Sequence, residues 1–247
     1  LGSHGRIAAV GSTVAPQKND IVIDADGGIV TPGLIDAHTH AGLVEDGFHD
    51  DRDYNETSAP ITPHVRALDG FKPTDIALWE AAQSGVTTVY VTPGSANVFG
   101  GIGAVVKTYG RSFSDRVLIA ESGMKMATGE NPKRVYGQQG KMPATRMGIA
   151  ALFRETFSVA RDYMAAKTAA AKRKDRNAKP FEIDLRKEAV ARVLNGELVA
   201  RCHSHRAVDM LAFMRIADEY GIRFVFEHAT EAIEILDELA AAKIPVI

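Results

Sequence analysis

The chain has 247 residues, of which 45% are apolar and 24% charged, with a formal net charge of −2, values of an ordinary globular protein long enough for a large core. The near-neutral balance gives no electrostatic footprint for nucleic acid, and no apolar run approaches the ~20 residues of a membrane span. The single cysteine, Cys202, excludes an internal disulfide framework and suits a reducing compartment, and the opening "LGSHGRIAAVG" lacks the basic and apolar regions of a secretory leader. The expectation is a cytoplasmic protein acting on small molecules, without nucleic-acid or membrane partners and with homo-oligomerisation left open.

Residues 5 to 30 alternate short β-type runs, Ile7 to Val10 and Ile21 to Ile23, with turn clusters at Gly11-Ser12 and Asp24 to Gly28, which predicts part of a small β unit over residues 1–30. The next stretch, "VTPGLIDAHTHAG" at residues 30 to 42, passes from a Pro-Gly turn signal through a short apolar run to His38-Thr39-His40. On a strand, side chains at i and i+2 share a face with Cα atoms about 6.6–6.8 Å apart, so two imidazoles can converge on one cation at ~2.0–2.1 Å. His38 and His40 are therefore candidate ligands of one metal; the plainer alternative is two histidines on an exposed turn.

From about residue 73 helical and β patterns alternate: Thr74 to Ser84 helical, Val86 to Thr92 strand, Gly123 to Thr128 a short strand, and helices within 149–194. Trp79 falls at apolar helical spacing with Ile76 and Ala82 and reads as core. "VTPGSANVFGGIGAVVKTYG" follows the second strand, lacks both phosphate-loop patterns, and reads as a loop over a site, with Ser95 and Asn97 as substrate-contacting candidates. "AAKTAAAKRKDRNAK", residues 165 to 179, is basic but has no interleaved aromatic residue and reads as a solvated helix end.

The histidine pattern then returns. Leu198 to Cys202 leads into His203-Ser204-His205, a helix is predicted at Val208 to Tyr220, and the strand Ile222 to Glu227 closes on His228. A helix at Ala232 to Ala242 and a strand at Ile244 to Ile247 follow. Strand-helix-strand repetition with short connections predicts parallel strands with helical crossovers. Five of the eight histidines sit at three strand ends, whereas His4, His49 and His64 read as surface or loop residues. Cys202, with orientation opposite to His203, reads as a buried packing thiol. The sequence stops on an apolar run that would need a following helix to cover it, so the chain reads as a fragment.

"IAAVG" followed by "DADGGIVTPGLIDAHTHAG", and "VARCHSHRAVDMLAFMRIADEYGIRFVFEHATEA", resemble the amidohydrolase superfamily, in particular its imidazolonepropionase-like and N-acetylglucosamine-6-phosphate-deacetylase-like branches, over residues 5 to 247. The resemblance implies an α/β fold, a (β/α)8 TIM-like barrel, incomplete here, preceded by part of a small β-sandwich at residues 1–30, with residues 31–247 supplying barrel strands one to about seven. It implies His38 and His40 as first-strand ligands and His203 as the fifth-strand ligand, with His205 a second candidate on the same face and a substrate contact. His228 would bind a second metal or polarise the substrate carbonyl. A bridging carboxylate would come from Glu130, with Glu121 as runner-up, because no lysine stands at an obvious fourth-strand end. The strand-eight aspartate of the family would lie beyond Ile247. The cofactor is then a divalent metal, zinc first and manganese or iron as alternatives, with one or two ions. The implied activity is hydrolysis of non-peptide C–N bonds in cyclic or linear amides by metal-activated water. The alternatives are a dipeptidase or acyl-amino-acid hydrolase, a deaminase, and a non-catalytic scaffold on the same barrel.

Overall fold

The computed structural model describes residues 6–44, 52–173 and 179–247. His4, His49 and the middle of the basic segment lie outside the described residues. By contacts the chain divides into Leu1–Pro32 and Gly33–Ile247.

In the first unit the expected strands are not formed. Ile7 to Val10 and Ile21 to Ile23 are coil, and Ile21 is 91% exposed. The backbone hydrogen bonds among residues 6–32 close turns, from Asp20 N to Gln17 O at 3.0 Å and from Gly28 N to Ala25 O at 2.7 Å. A β-type run becomes a strand only when a partner takes its N–H and C=O groups, and these runs find none among the described residues. Among residues 6–30 no strand of the β-sandwich portion expected at residues 1–30 is formed.

The second unit runs β1 (Leu34–Thr39), α1 (Ala67–Gly70), α2 (Ile76–Gln83), β2 (Val86–Val91), β3 (Phe99–Ile102), β4 (Ala104–Lys107), α3 (Phe113–Arg116) and β5 (Val117–Ile119). It continues with β6 (Met124–Ala127), α4 (Glu130–Gly137), α5 (Arg146–Ala171), α6 (Leu185–Leu194), β7 (Ala200–Ser204), α7 (Ala207–Tyr220), β8 (Phe224–His228), a 3₁₀ turn (Ala232–Ile235) and α8 (Leu236–Ala241). These strands form two four-stranded sheets, ordered β1-β2-β4-β5 and β3-β6-β7-β8. The pairs β1/β2, β6/β7 and β7/β8 are parallel, as the helical crossovers require. The described strands form these two mixed sheets, with no closed barrel among them. The stretch after β2 departs from the expected loop, because residues 99–107 fold into β3, antiparallel to β6, and β4, antiparallel to β2.

The core lies between the second sheet and helices α5 to α7, where Phe99, Phe153, Phe157, Phe213 and Phe226 are fully buried. Their rings meet at 5.3 Å for Phe99–Phe153 and 5.1 Å for Phe153–Phe213. Met124, Met126, Cys202 and Phe226 belong to this helix-facing layer. Strand alternation therefore turns Lys125, Ala127, Arg201, His203 and Glu227 to the opposite face. Cys202 is buried, and burial pushes its thiol well up, as a packing residue requires. Two expectations differ at the edges. Trp79 is 53% exposed, and it is its neighbour Leu78 that α2 buries, in a second cluster with Val89, Val91 and Val106 of the first sheet. Ile244 to Ile247 forms a single parallel bridge, Val246 to Phe226, where a full strand was expected.

Candidate metal centre

The five strand-end histidines come together. Ring centroids are 5.1 Å apart for His38–His40, 4.7 Å for His38–His228, 4.8 Å for His203–His228 and 4.7 Å for His203–His205. His228 is thus the hub between the first-strand and fifth-strand pairs. It follows Glu227, and plain alternation would send it to the other face. Its φ of 72°, in the left-handed region that non-glycine residues rarely occupy, turns the imidazole back toward the cluster.

Several of the rings have specific polar neighbours. His40 Nδ1 lies 2.7 Å from the Thr92 carbonyl oxygen, which only accepts, so Nδ1 carries the proton and Nε2 keeps its lone pair. His38 takes its backbone setting from Asp36, whose Oδ1 accepts from His38 N at 2.9 Å, and its Nδ1 lies 3.2 Å from Glu227 Oε2. His205 Nδ1 is 2.7 Å from Thr230 Oγ1. His203 is buried between the strands, with Asn131 Nδ2 at 3.3 Å from its Nε2. Burial holds the His203 pKa down at about 3, helped by Lys125, and holds His228 at about 4, helped by His38; burial also lowers His40. Neutral imidazole is the form that ligates a cation.

Glu130 starts α4 immediately after Gly129, whose φ of 74° makes the turn from β6. Its Oε1 lies 3.6 Å from His203 Nε2 and 3.9 Å from His205 Nε2. One ligand atom from each of Glu130, His203 and His205 falls within 4.8 Å of the other two. The runner-up, Glu121, is engaged elsewhere, in ion pairs with Arg66 at 3.2 Å and with Arg192. The donor set therefore fits a divalent ion: several neutral imidazoles, one of them locked in the Nε2-presenting tautomer, and a carboxylate.

Of the three expected substrate contacts, His205 joins the histidine cluster beside Glu130, and Ser95 borders a cleft beside Asn131, whose Nδ2 donates to Ser95 Oγ at 2.8 Å. Asn97 is only 1% exposed and its amide is fully committed. Its Nδ2 donates to Glu56 O at 2.6 Å and Thr62 Oγ1 at 2.7 Å, and its Oδ1 accepts from Tyr136 OH at 2.6 Å. It pins the loop, leaving nothing free for a substrate, which corrects its assignment as a contact. His64 stays apart, near Arg186 and Asp184.

Sequence reasoning missed the charged layer beneath the rings. Lys125 and Glu227, both 0% exposed, form an ion pair, and Arg201 Nε donates to Glu227 Oε1 at 2.8 Å. Arg201 also donates to Ala37 O and lies 4.1 Å over the Tyr90 ring, tying β7 to β1 and β2. Burial opposes ionisation of Glu227, but His38 and Lys125 outweigh it and hold its carboxyl well below the usual range. A lysine therefore does reach the site, from β6. Its signal was present: Lys125 in "GMKMAT", Arg201 in "VARCH" and Glu227 in "RFVFEH" are charges inside apolar strands, which is tolerated only when they pair.

The fold has a close counterpart. The crystal structure of an amidohydrolase from Thermotoga maritima MSB8 matches with a TM-score of 0.88 and 42% identity, covering 100% of this chain and 64% of that one. Amidohydrolase tasK of Hapsidospora irregularis is 32% identical over 239 residues, covering 87% of this chain and 24% of the relative. A 5′-deoxyadenosine deaminase of Methanosarcina acetivorans is 34% identical over 89 residues, covering 34% of this chain and 20% of that protein. The chain thus spans about a quarter or less of the length of these two relatives. No protein-family model matches. In sequence and fold the chain is amidohydrolase-like. Among the described residues no helix is long and apolar enough to cross a membrane.

Proposed function

We propose that this chain carries the metal-binding half of an active site that hydrolyses non-peptide C–N bonds in cyclic or linear amides, on a (β/α)8 barrel of the imidazolonepropionase-like kind. The observation that carries the reading is the meeting of five imidazoles and Glu130 from β1, α4, β7 and β8 at one place. His38, His40, His203, His228 and Glu130 would hold one or two divalent ions, zinc first and manganese or iron as alternatives. When bound, such an ion supplies Lewis acidity and water activated near neutral pH.

The chain's own residues do the rest. Thr92 and Glu227 fix the first-strand imidazoles from behind, so that their Nε2 atoms face the reaction. His228, neutral and at the hub, either completes a second ion's ligands or, free of the ion, offers an N–H to the oxygen on which negative charge develops. Asn131, beside His203 and Ser95, supplies an amide donor at the rim. Deamination is the second reading, supported by the similarity to 5′-deoxyadenosine deaminase over 89 residues.

The test uses full-length protein, depleted of metal and reloaded with zinc, manganese or iron, on lactams, hydantoin-like rings, N-acyl amino acids and aminopurine nucleosides. Turnover should require the metal. His228→Asn should keep the melting temperature within a few degrees and lose on the order of 10²–10⁴ in rate, the cost of losing an oxyanion donor or an acid/base group. Parental rates in the chelated protein or in His228→Asn would refute the reading.

A further inference from the structure

We infer that the cleft beside the histidines receives an anionic group of the substrate, a carboxylate or a phosphate monoester, and that Arg134 is its anchor. The inference rests on the hydrolase reading above and adds the substrate's chemical class.

The cleft encloses about 400 Å³ and is lined chiefly by Arg52, Tyr54, Asn55, Ser95, Asn131 and Arg134, with no acidic side chain among the described residues of its wall. It shares that wall with the candidate metal centre. The Tyr54 ring lies 5.5 Å from the ring of His40, and Asn131 Nδ2 is 3.3 Å from His203 Nε2. One small molecule can therefore place a reacting carbon at the imidazoles and a substituent in the cleft.

The hydrogen-bonding groups of this wall are spent in a one-sided way. Asn131 Oδ1 accepts from Arg134 Nη2 at 3.1 Å, which aims the guanidinium. Ser95 Oγ accepts from Asn131 Nδ2 at 2.8 Å, so its own hydroxyl proton points elsewhere. Asn55 Oδ1 accepts from Ala96 N at 3.0 Å, leaving its amide N–H groups to donate. These three acceptors are engaged within the wall, while the Asn55 amide, the Ser95 hydroxyl and the other guanidinium N–H groups of Arg134 can donate, which suits an acceptor-only oxyanion.

Glu130 stands one helical turn before Arg134 on α4, the spacing of an ion pair, yet its carboxylate lies against His203 and His205. Among the described residues no carboxylate pairs with Arg134 or Arg52. The wall is also firmly built. A side chain at Gly94 would strike Asn55 at 2.5 Å and Tyr54 at 2.6 Å, so the 54–55 and 93–96 segments interlock.

The test compares N-acetylglycine, its neutral methylamide and N-acetylaminoethyl phosphate, by calorimetric binding to the full-length protein and by hydrolysis. Wild type should bind at least one anion about 10- to 100-fold more tightly than the methylamide, the worth of a charge-assisted contact. The tighter of the two anions identifies the headgroup. Arg134→Gln should abolish that preference while melting temperature, metal content and methylamide binding stay unchanged, and Arg134→Lys should keep part of it. Should Arg134→Gln fail to fold, rising salt must still weaken the anion in wild type and spare the methylamide. Equal or undetectable anion binding in wild type, or an anion preference that survives in Arg134→Gln, overturns the inference. Hydrolysis without charge preference removes this inference and leaves the hydrolase; charge preference without metal-dependent hydrolysis of any substrate does the reverse.

Discussion

Glu227 is the residue on which the candidate site turns. It is wholly buried, touches His38 from behind, and is the shared partner of Lys125 and Arg201. A buried ion pair is weak evidence for stability, but breaking one leaves an uncompensated charge in a medium of low dielectric. Glu227→Leu should therefore cost about 3–5 kcal/mol in urea denaturation, chiefly because Lys125 is left buried and alone. Lys125→Met in the same chain should recover much of that loss, since it removes the stranded ammonium. A double variant no more stable than Glu227→Leu would mean that the pair is not coupled. At this scale the histidines were legible because His-x-His at a strand end has few other uses. The counter-charges were not, because a lone charge in an apolar strand identifies no partner until the strand order brings β6, β7 and β8 side by side.

The elements show where periodicity succeeds and where it fails. Strands and helices with strong patterns, such as β2, β7 and α7, were readable to within a residue or two, because a buried strand and a helix with one packed face impose distinct spacings. The segment 99–107 was not, because glycines at 100, 101 and 103 read as loop while the backbone in fact pairs on both sides. At Gly101 a side chain would meet Val65 at 2.5 Å, so these glycines serve close approach more than turning. The β6–α4 junction is the tightest device in the site. Gly129 has φ 74° and ψ −139°, and a Cβ there would lie 2.9 Å from the Oδ2 of Asp209, whose Oδ1 accepts from Arg146 Nε at 2.6 Å. Gly129→Ala should destabilise the protein by about 1–3 kcal/mol, the cost of a non-glycine residue in that conformation. It should also weaken divalent-ion binding, because Glu130 and Asn131 leave that turn directly. Unchanged stability and unchanged ion affinity would show that the turn relaxes freely.

For the whole molecule, the α/β class and the meeting of three strand ends followed from the order of patterns along the chain, while the division into two sheets did not. Closure of a sheet depends on which edges find partners, and no local signal carries that information. The exposed runs of residues 6–32 make the same point, since Ile21 to Ile23 has every local mark of a strand and no partner among the described residues. The reading proposed above is that side chains from β1, α4, β7 and β8 together hold the ion or ions. Anomalous diffraction from crystals of the full-length protein, recorded on both sides of the zinc, manganese and iron edges, tests this most directly. A peak bonded to Nε2 of His38 and His40 or to His203, His228 and Glu130 is expected, as is its disappearance in the His38→Ala/His40→Ala/His203→Ala variant. A metal-replete crystal with no anomalous peak among these side chains would contradict it.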